Sequence, residues 1–177
     1  KFFSYNDNIH QPVQALFPVV NIFIDHDNNF WAGTINGLKQ FDPQKRVYTK
    51  IFLPDENNIH SISAVKITAI QQYDDSTLLI VSINGGLNFF NIKTNKFSLL
   101  NFNSGLPSKF IHAIKKDGKN NIWLTTDYGL YKYNIQDKRT ITYNIDPGLI
   151  SSSFESNNFY QLHDGRWLTA TSTQIIS

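Results

Sequence analysis

Cysteine is absent from all 177 residues, which excludes a disulfide framework and any cysteine-based metal site. A chain without it fits an oxidising compartment and does not require one. Glutamate occurs only as Glu56 and Glu155, and no pair of acids suited to a glycosidase cleft is evident. No apolar run approaches the roughly 20 residues of a membrane span, and no signal-peptide pattern is present. The opening Lys1-Phe2-Phe3 reads as an internal cut in a longer chain. Net charge is only +2 and the basic residues are scattered, unlike the clustered Lys and Arg of a nucleic-acid surface. His10, His26, His60, His112 and His163 form no metal-ligand spacing. Asp25-His26-Asp27-Asn28-Asn29 has calcium-like alternation but lacks the Gly and the distal Glu of an EF-hand loop. Neither a Gly-x-Ser-x-Gly elbow nor a Gly-rich phosphate loop occurs. The expectation is a segment with no catalytic residue, no metal and no cofactor.

Helical periodicity is missing too. No useful window places apolar residues at i, i+3, i+4 and i+7. What is present is 41% hydrophobic and 14% aromatic residues, enough to fill layers between sheets and to exclude disorder. In Asn121-Ile122-Trp123-Leu124-Thr125-Thr126 side chains alternate with the period of two of a strand. Gly129 then supplies a bend at low steric cost. That pattern recurs around Trp31, around Leu79 with one extra residue, and in decayed form at Trp167. The four anchors stand 48, 44 and 44 residues apart. Small residues, Thr34, Ser82, Thr126 and Ala170, follow each anchor at the same offset. Ile22, Ile70 and Ile114 precede the first three anchors by one offset, and Val19, Ile67 and Ile111 by another. A strand-only repeat of this length predicts four-stranded propeller blades rather than a helical solenoid.

The chain divides accordingly. Residues 1–8 read as the last strand of a preceding blade, followed by blades at 18–52, 64–102 and 110–145 and an incomplete blade at 153–177. The expected fold is all-β, a propeller fragment of three whole four-stranded antiparallel blades with parts of two others. An open fan would leave unpaired strand edges, so the fragment is expected to be part of a larger propeller.

Asp25, Asn29-Phe30-Trp31-Ala32-Gly33-Thr34, Gly37-Leu38 and Phe41-Asp42-Pro43 resemble the two-component regulator propeller repeat. Asp117, Asn121 to Thr126, Gly129-Leu130 and Tyr133 match it again, and Ser104-Gly105-Leu106-Pro107-Ser108 is similar to its linker between blades. Departures lie at Tyr73 and Leu79 in the second repeat and at Thr173-Gln174 in the fourth. The resemblance implies a propeller of seven blades, followed by a small β-sandwich domain. It also implies the periplasmic sensor region of an inner-membrane hybrid two-component histidine kinase, as in Bacteroidetes, controlling carbohydrate-utilisation genes. The kinase domain would lie elsewhere in the parent, which would meet the membrane only through its own transmembrane helix. An oligosaccharide ligand, the rest of the propeller and a second copy in a homodimer are the partners implied; nucleic acid is not.

In a propeller, the interblade linkers and the turns between second and third strands share one face, where ligands usually meet such folds. Amides, carboxylates and aromatic faces suit sugar hydroxyls and ring C–H groups. Asn36, His60, Asn84, Lys109, Asp127 and Tyr128 are the candidates there. Each is also an ordinary turn residue type. Trp31, Trp123 and Trp167 are expected to pack between blades rather than to stack on sugars. His112 lies in an inner strand, facing either the central channel or a hydrogen-bonded core. The alternatives to a sensory module are a carbohydrate-active propeller enzyme and a scaffold for dimerisation or protein–protein interaction.

Overall fold

The computed structural model describes residues 18–100, 105, 106, 108, 110–118, 120–143 and 154–176. The strand expected at 1–8, Lys109 and the second linker at 144–153 lie outside the described residues. All regular structure among the described residues is β. Blade I comprises β1 (Val19–Ile24), β2 (Phe30–Thr34), β3 (Gly37–Asp42) and β4 (Val47–Phe52). Blade II comprises β5 (Ile67–Asp74), β6 (Thr77–Ser82), β7 (Gly86–Asn91) and β8 (Lys96–Leu100). Blade III comprises β9 (Ile111–Lys116), β10 (Asn121–Thr126), β11 (Gly129–Asn134) and β12 (Arg139–Tyr143). Blade IV has β13 (Phe154–Gln161), β14 (Trp167–Thr171) and β15 (Ile175–Ile176). Each sheet is an antiparallel meander in chain order. First strands of successive sheets touch, β1 with β5, β5 with β9 and β9 with β13, so the sheets converge on their first strands as propeller blades do.

Alternation decides which side chain faces which neighbour. Trp31 and Leu38 of blade I join Ile67, Ile70, Leu78, Ile80, Phe90 and Phe97 of blade II in one buried cluster. Trp31 is fully buried and meets the Phe90 ring edge-on at 5.3 Å. One blade further, Leu79, Val81 and Leu87 meet Ile114, Ile122, Leu124 and Tyr133. Leu79 therefore does for blades II and III what Trp31 does for I and II, despite the loss of the ring. Each such buried Leu or Ile contributes roughly 1.5–3 kcal/mol. The linkers add a plug apiece, with Ile62 in the first cluster and Leu106 in the second.

A hydrogen-bonded clasp fixes the first hairpin of blades I and III. Asp25 accepts from the backbone N–H of Asp27 and Asn29, from Asn29 Nδ2 and from Trp31 Nε1 at 2.8 Å. Asp117 accepts from Asn121 N–H, Asn121 Nδ2 and Trp123 Nε1 at 3.1 Å. The repeat's Asp, Asn and Trp are thus one structural unit. In blade II, Tyr73 replaces the aspartate, and Lys116 of the next blade donates Nζ to the Tyr73 carbonyl and sits over the Tyr73 ring.

Blade IV corrects the alignment of anchors. Leu162 N–H donates to Arg166 O, as Asp25 does to Asn29 and Asp117 to Asn121. Gln161 pairs with Trp167 and Tyr160 with Leu168, as Ile24 pairs with Phe30 and Phe23 with Trp31. Leu168, not Trp167, is therefore the counterpart of Trp31, and Thr171, not Ala170, that of Thr34. A one-residue slip sends a side chain to the other face of the sheet. Trp167 accordingly meets Phe159 of its own blade at 6.1 Å. Trp123 is half-buried and stacked on Tyr143 of its own blade at 5.3 Å.

Candidate functional site

The turns between second and third strands are built alike. Thr34 Oγ1 donates to Gly37 O and accepts from Asn36 N–H. Thr126 Oγ1 donates to Gly129 O and accepts from Tyr128 N–H. Thr171 Oγ1 accepts from the N–H groups of Thr173 and Gln174. Blade II uses Ser82, whose Oγ meets Ser63 Oγ at 2.8 Å and accepts from Asn88 Nδ2. The three threonine hydroxyls satisfy turn backbone that would otherwise compete for water. Asn36, Asn84 and Tyr128 occupy the second turn position in their blades, and Asn84 takes a left-handed φ of 61°, which asparagine tolerates. The linkers close over the same end. Gly37 N–H donates to Val65 O of the linker between blades I and II, and Ile83 N–H to Lys66 O.

Asp127 departs from the repeat, because Ile35 and Ile83 hold its position in blades I and II. Its partner is His112, with Nε2 and Oδ1 2.5 Å apart. A register shift recurs near the start of each complete inner strand: between Val19 and Asn21, between Ile67 and Ala69, and opposite Thr125 and Thr126. The extra residues are Val20, Thr68 and His112. A bulge re-aims its side chain and bends the strand. In blade III this brings an imidazole to the rim carboxylate, with Tyr128 beside it and 67% exposed. The His112 and Asp127 side chains are both partly solvent-exposed. The arrangement supplies an imidazole, a carboxylate and an aromatic face within one turn, groups suited to hydroxyl-bearing ligands.

Of the candidate residues, Asn36, Asn84, Asp127 and Tyr128 lie on equivalent rim turns. His60 does not join them. Its carbonyl accepts from Phe97 N–H near the start of the outer strand β8, and it lines a cavity with Tyr73, Thr77, Phe89 and Asn91. Those residues sit toward the opposite, hairpin end of blade II. The linker before it is tied to itself: Asp55 N–H donates to Ser61 Oγ, and that hydroxyl donates to Asp55 O. His112 is the residue the sequence undervalued; the signal was its place between two repeat isoleucines, where a bulge inserts one residue. Among the described residues, no group of three or more His, Asp or Glu is placed to hold a metal ion, and no helix is long and apolar enough to cross a membrane.

Comparison with known proteins fits this architecture. Residues 105–128 match the family model described as two component regulator propeller. Histidine kinase P4 of Formosa agariphila is 28% identical over 146 residues, covering 79% of this chain and 10% of that protein. The extracellular domain of the putative hybrid two component system BT3049 from B. thetaiotaomicron superposes with a TM-score of 0.73 at 23% identity. That match covers 89% of this chain and 21% of the other. The extracellular domain of the putative one component system BT4673 from the same organism gives 0.74 at 17% identity, over 89% of this chain and 22% of that one. The chain thus spans about a tenth of the curated relative and about a fifth of these solved domains. The match to the two-component regulator propeller model at residues 105–128 is thus set in a β-propeller fold shared with the extracellular domains of BT3049 and BT4673.

Proposed function

We propose that this chain is part of the extracytoplasmic sensor propeller of a hybrid two-component histidine kinase, non-catalytic itself, that answers oligosaccharides and controls carbohydrate-utilisation genes. The observation that carries this reading is the two-component regulator propeller match over residues 105–128. The propeller is the periplasmic part of an inner-membrane parent, with a β-sandwich domain and the kinase following in the chain and a homodimer as the signalling unit. Asp127, His112 and Tyr128 form the principal ligand-facing group, with Asn36 and Asn84 on neighbouring turns. A ligand signals only by binding one arrangement of the ectodomain better than another.

Titration calorimetry of the parental ectodomain against a panel of neutral and acidic oligosaccharides tests this. Saturable heat without product formation is expected for at least one of them. Asp127→Ala and Tyr128→Ala should each weaken that binding about tenfold, equivalent to about 1.4 kcal/mol, while leaving the melting temperature nearly unchanged. Turnover of the sugar would favour the enzyme reading, and silence across the panel would overturn the sugar-sensing one.

A further inference from the structure

Blades I and III close the hairpin end of their sheets with a polar network, and blade II has dismantled it. In blade I, Asp25 holds Asn29 and Trp31, and Gln40 Nε2 donates to Asn29 Oδ1 at 3.1 Å. In blade III, Asp117 holds Asn121 and Trp123, and Asn134 Nδ2 donates to Asn121 Oδ1 at 2.9 Å. Strand pairing gives the counterparts in blade II. Leu79 pairs with Phe89 as Trp31 pairs with Gln40, and Thr77 pairs with Asn91 as Asn121 pairs with Asn134. Tyr73 precedes Thr77 by the same step as Asp25 precedes Asn29. Tyr73, Thr77 and Phe89 thus stand where blade I has Asp25, Asn29 and Gln40.

A cleft lies over these substitutes. It measures about 370 Å³ and is lined by Tyr73, Phe89, Asn91, Lys96, Ser98 and His60 among others. Tyr73 and Phe89 meet edge to face at 5.7 Å, and the Lys116 ammonium, 4.7 Å from the Tyr73 ring centre, helps to fix that ring. Asn91 Oδ1 accepts from the N–H and Oγ1 of Thr94, which leaves Nδ2 as the amide group available to a ligand. His60 is held by both backbone groups: its N–H donates to Asn58 Oδ1 and its carbonyl accepts from Phe97 N–H. The neighbouring Asp74 carboxylate is committed to Ser76, whose N–H and Oγ donate to Oδ1. Among the described residues, the lining contains the Lys96 ammonium and no carboxylate.

We infer that this cleft binds a single six-membered ring bearing a carboxylate. Its size sets the ring, being near the small end of the roughly 300–1,000 Å³ of ligand pockets. The Tyr73 and Phe89 rings suit an apolar ring face. The Lys96 ammonium and the Asn91 amide suit a carboxylate, because hydrogen bonds to a charged partner are the stronger kind. A neutral polyol needs acceptors as well as donors, and a lining without a carboxylate answers that need poorly. The uronic-acid end of a glycan and an aromatic acid share the required chemistry. The cleft lies at the end of blade II opposite the rim turns, so the inference stands or falls apart from the Asp127 group and from the sensing role.

Titration calorimetry of the parental ectodomain with two matched pairs tests it: glucuronate against glucose, and benzoate against benzyl alcohol. At least one acid should bind, at least tenfold more tightly than its neutral partner. Lys96→Gln should weaken that acid at least tenfold and leave the melting temperature unchanged, because Lys96 is exposed at the start of β8. Phe89→Gln, which installs the residue of blade I, should weaken it as well. Binding of glucuronate alone would assign the cleft to a uronic-acid terminus, binding of benzoate alone to an aromatic acid, and binding of both to any ring with that charge. Silence from both acids, equal affinity within each pair, or binding indifferent to Lys96→Gln would overturn the inference. Binding lost in Asp127→Ala but kept in Lys96→Gln would place the acid at the rim and overturn it too.

Discussion

Trp31 Nε1 donates to Asp25 Oδ2 across 2.8 Å inside the interface between two blades, where the indole is fully buried. The bond does two jobs. It ends the first hairpin of its own sheet and sets the angle at which the ring enters the next. A hydrogen bond to a charged group contributes about 1.5–3 kcal/mol, and a buried N–H left without a partner costs about as much again as a neutral bond contributes. Asp25→Ala should therefore destabilise by about 3 kcal/mol, seen as a lower urea midpoint by circular dichroism. Asp117→Ala should cost less, because Trp123 is only half-buried whereas Trp31 is fully buried. Equal losses at the two sites would show that the aspartate serves the hairpin alone.

Gly33, two residues after Trp31, is small for a reason of contact. A Cβ added at Gly33 would lie 2.8 Å from Ile67 Cγ2 and 3.3 Å from the Ile67 carbonyl oxygen. Ile67 is fully buried at the start of the next inner strand and has nowhere to retreat. Gly33→Ala should cost about 1–3 kcal/mol, the range for overpacking a core, read as a drop in melting temperature. Gly118→Ala is the control, since nothing lies within 4 Å of a Cβ there.

Strand existence and blade count were legible because burial alternates strictly in strands such as β11, where Gly129, Tyr131 and Tyr133 are buried between less buried neighbours. The blade IV register was not. Both Trp167 and Leu168 are credible interface residues, and composition cannot choose between them; the Leu162–Arg166 backbone bond and the pairing of Tyr160 with Leu168 do. The rim turns were legible from their Thr, Asn and Gly residues. The His112–Asp127 pair was not, because a bulge adds one residue to a strand without leaving a turn signal. His60 was misplaced because the path of a linker depends on backbone bonds such as that from Phe97, which no local pattern announces.

Acid sensitivity should appear in the outer hairpin of blade I. Lys45 N–H donates to Asp42 Oδ1, Gln44 N–H does the same, and the Lys45 ammonium lies 3.5 Å from Oδ2. The Lys45 backbone bond, opposed by desolvation and helped by the remaining contacts, holds the Asp42 carboxyl below its ordinary value. A carboxylate depressed on folding contributes stability above its unfolded pKa and loses it as pH falls through the folded one. The loss should thus come below about pH 4, the ordinary Asp range. Asp42→Asn should lower the melting temperature at pH 7 and leave it unchanged at the acid end. A pH-independent difference between the two proteins would show that charge on Asp42 is irrelevant.

The same outer hairpins contain a swap that should move stability in both directions. Arg46, Asn95 and Lys138 each immediately precede a fourth strand and take left-handed φ values of 59°, 56° and 53°. The shared geometry is imposed by the turn, not by the residue. A side chain with a Cβ is strained there, and asparagine is relieved in part by local hydrogen bonding. Asparagine also avoids the extra unfolded-state freedom that glycine would bring. Lys138→Asn should therefore raise stability by about 0.5 kcal/mol and Asn95→Lys should lower it by a similar amount, within the range of backbone-compatibility effects. Urea midpoints of the two variants should shift in opposite directions by comparable amounts. A shift of the same sign in both would mean that side-chain contacts, rather than backbone angle, govern these turns.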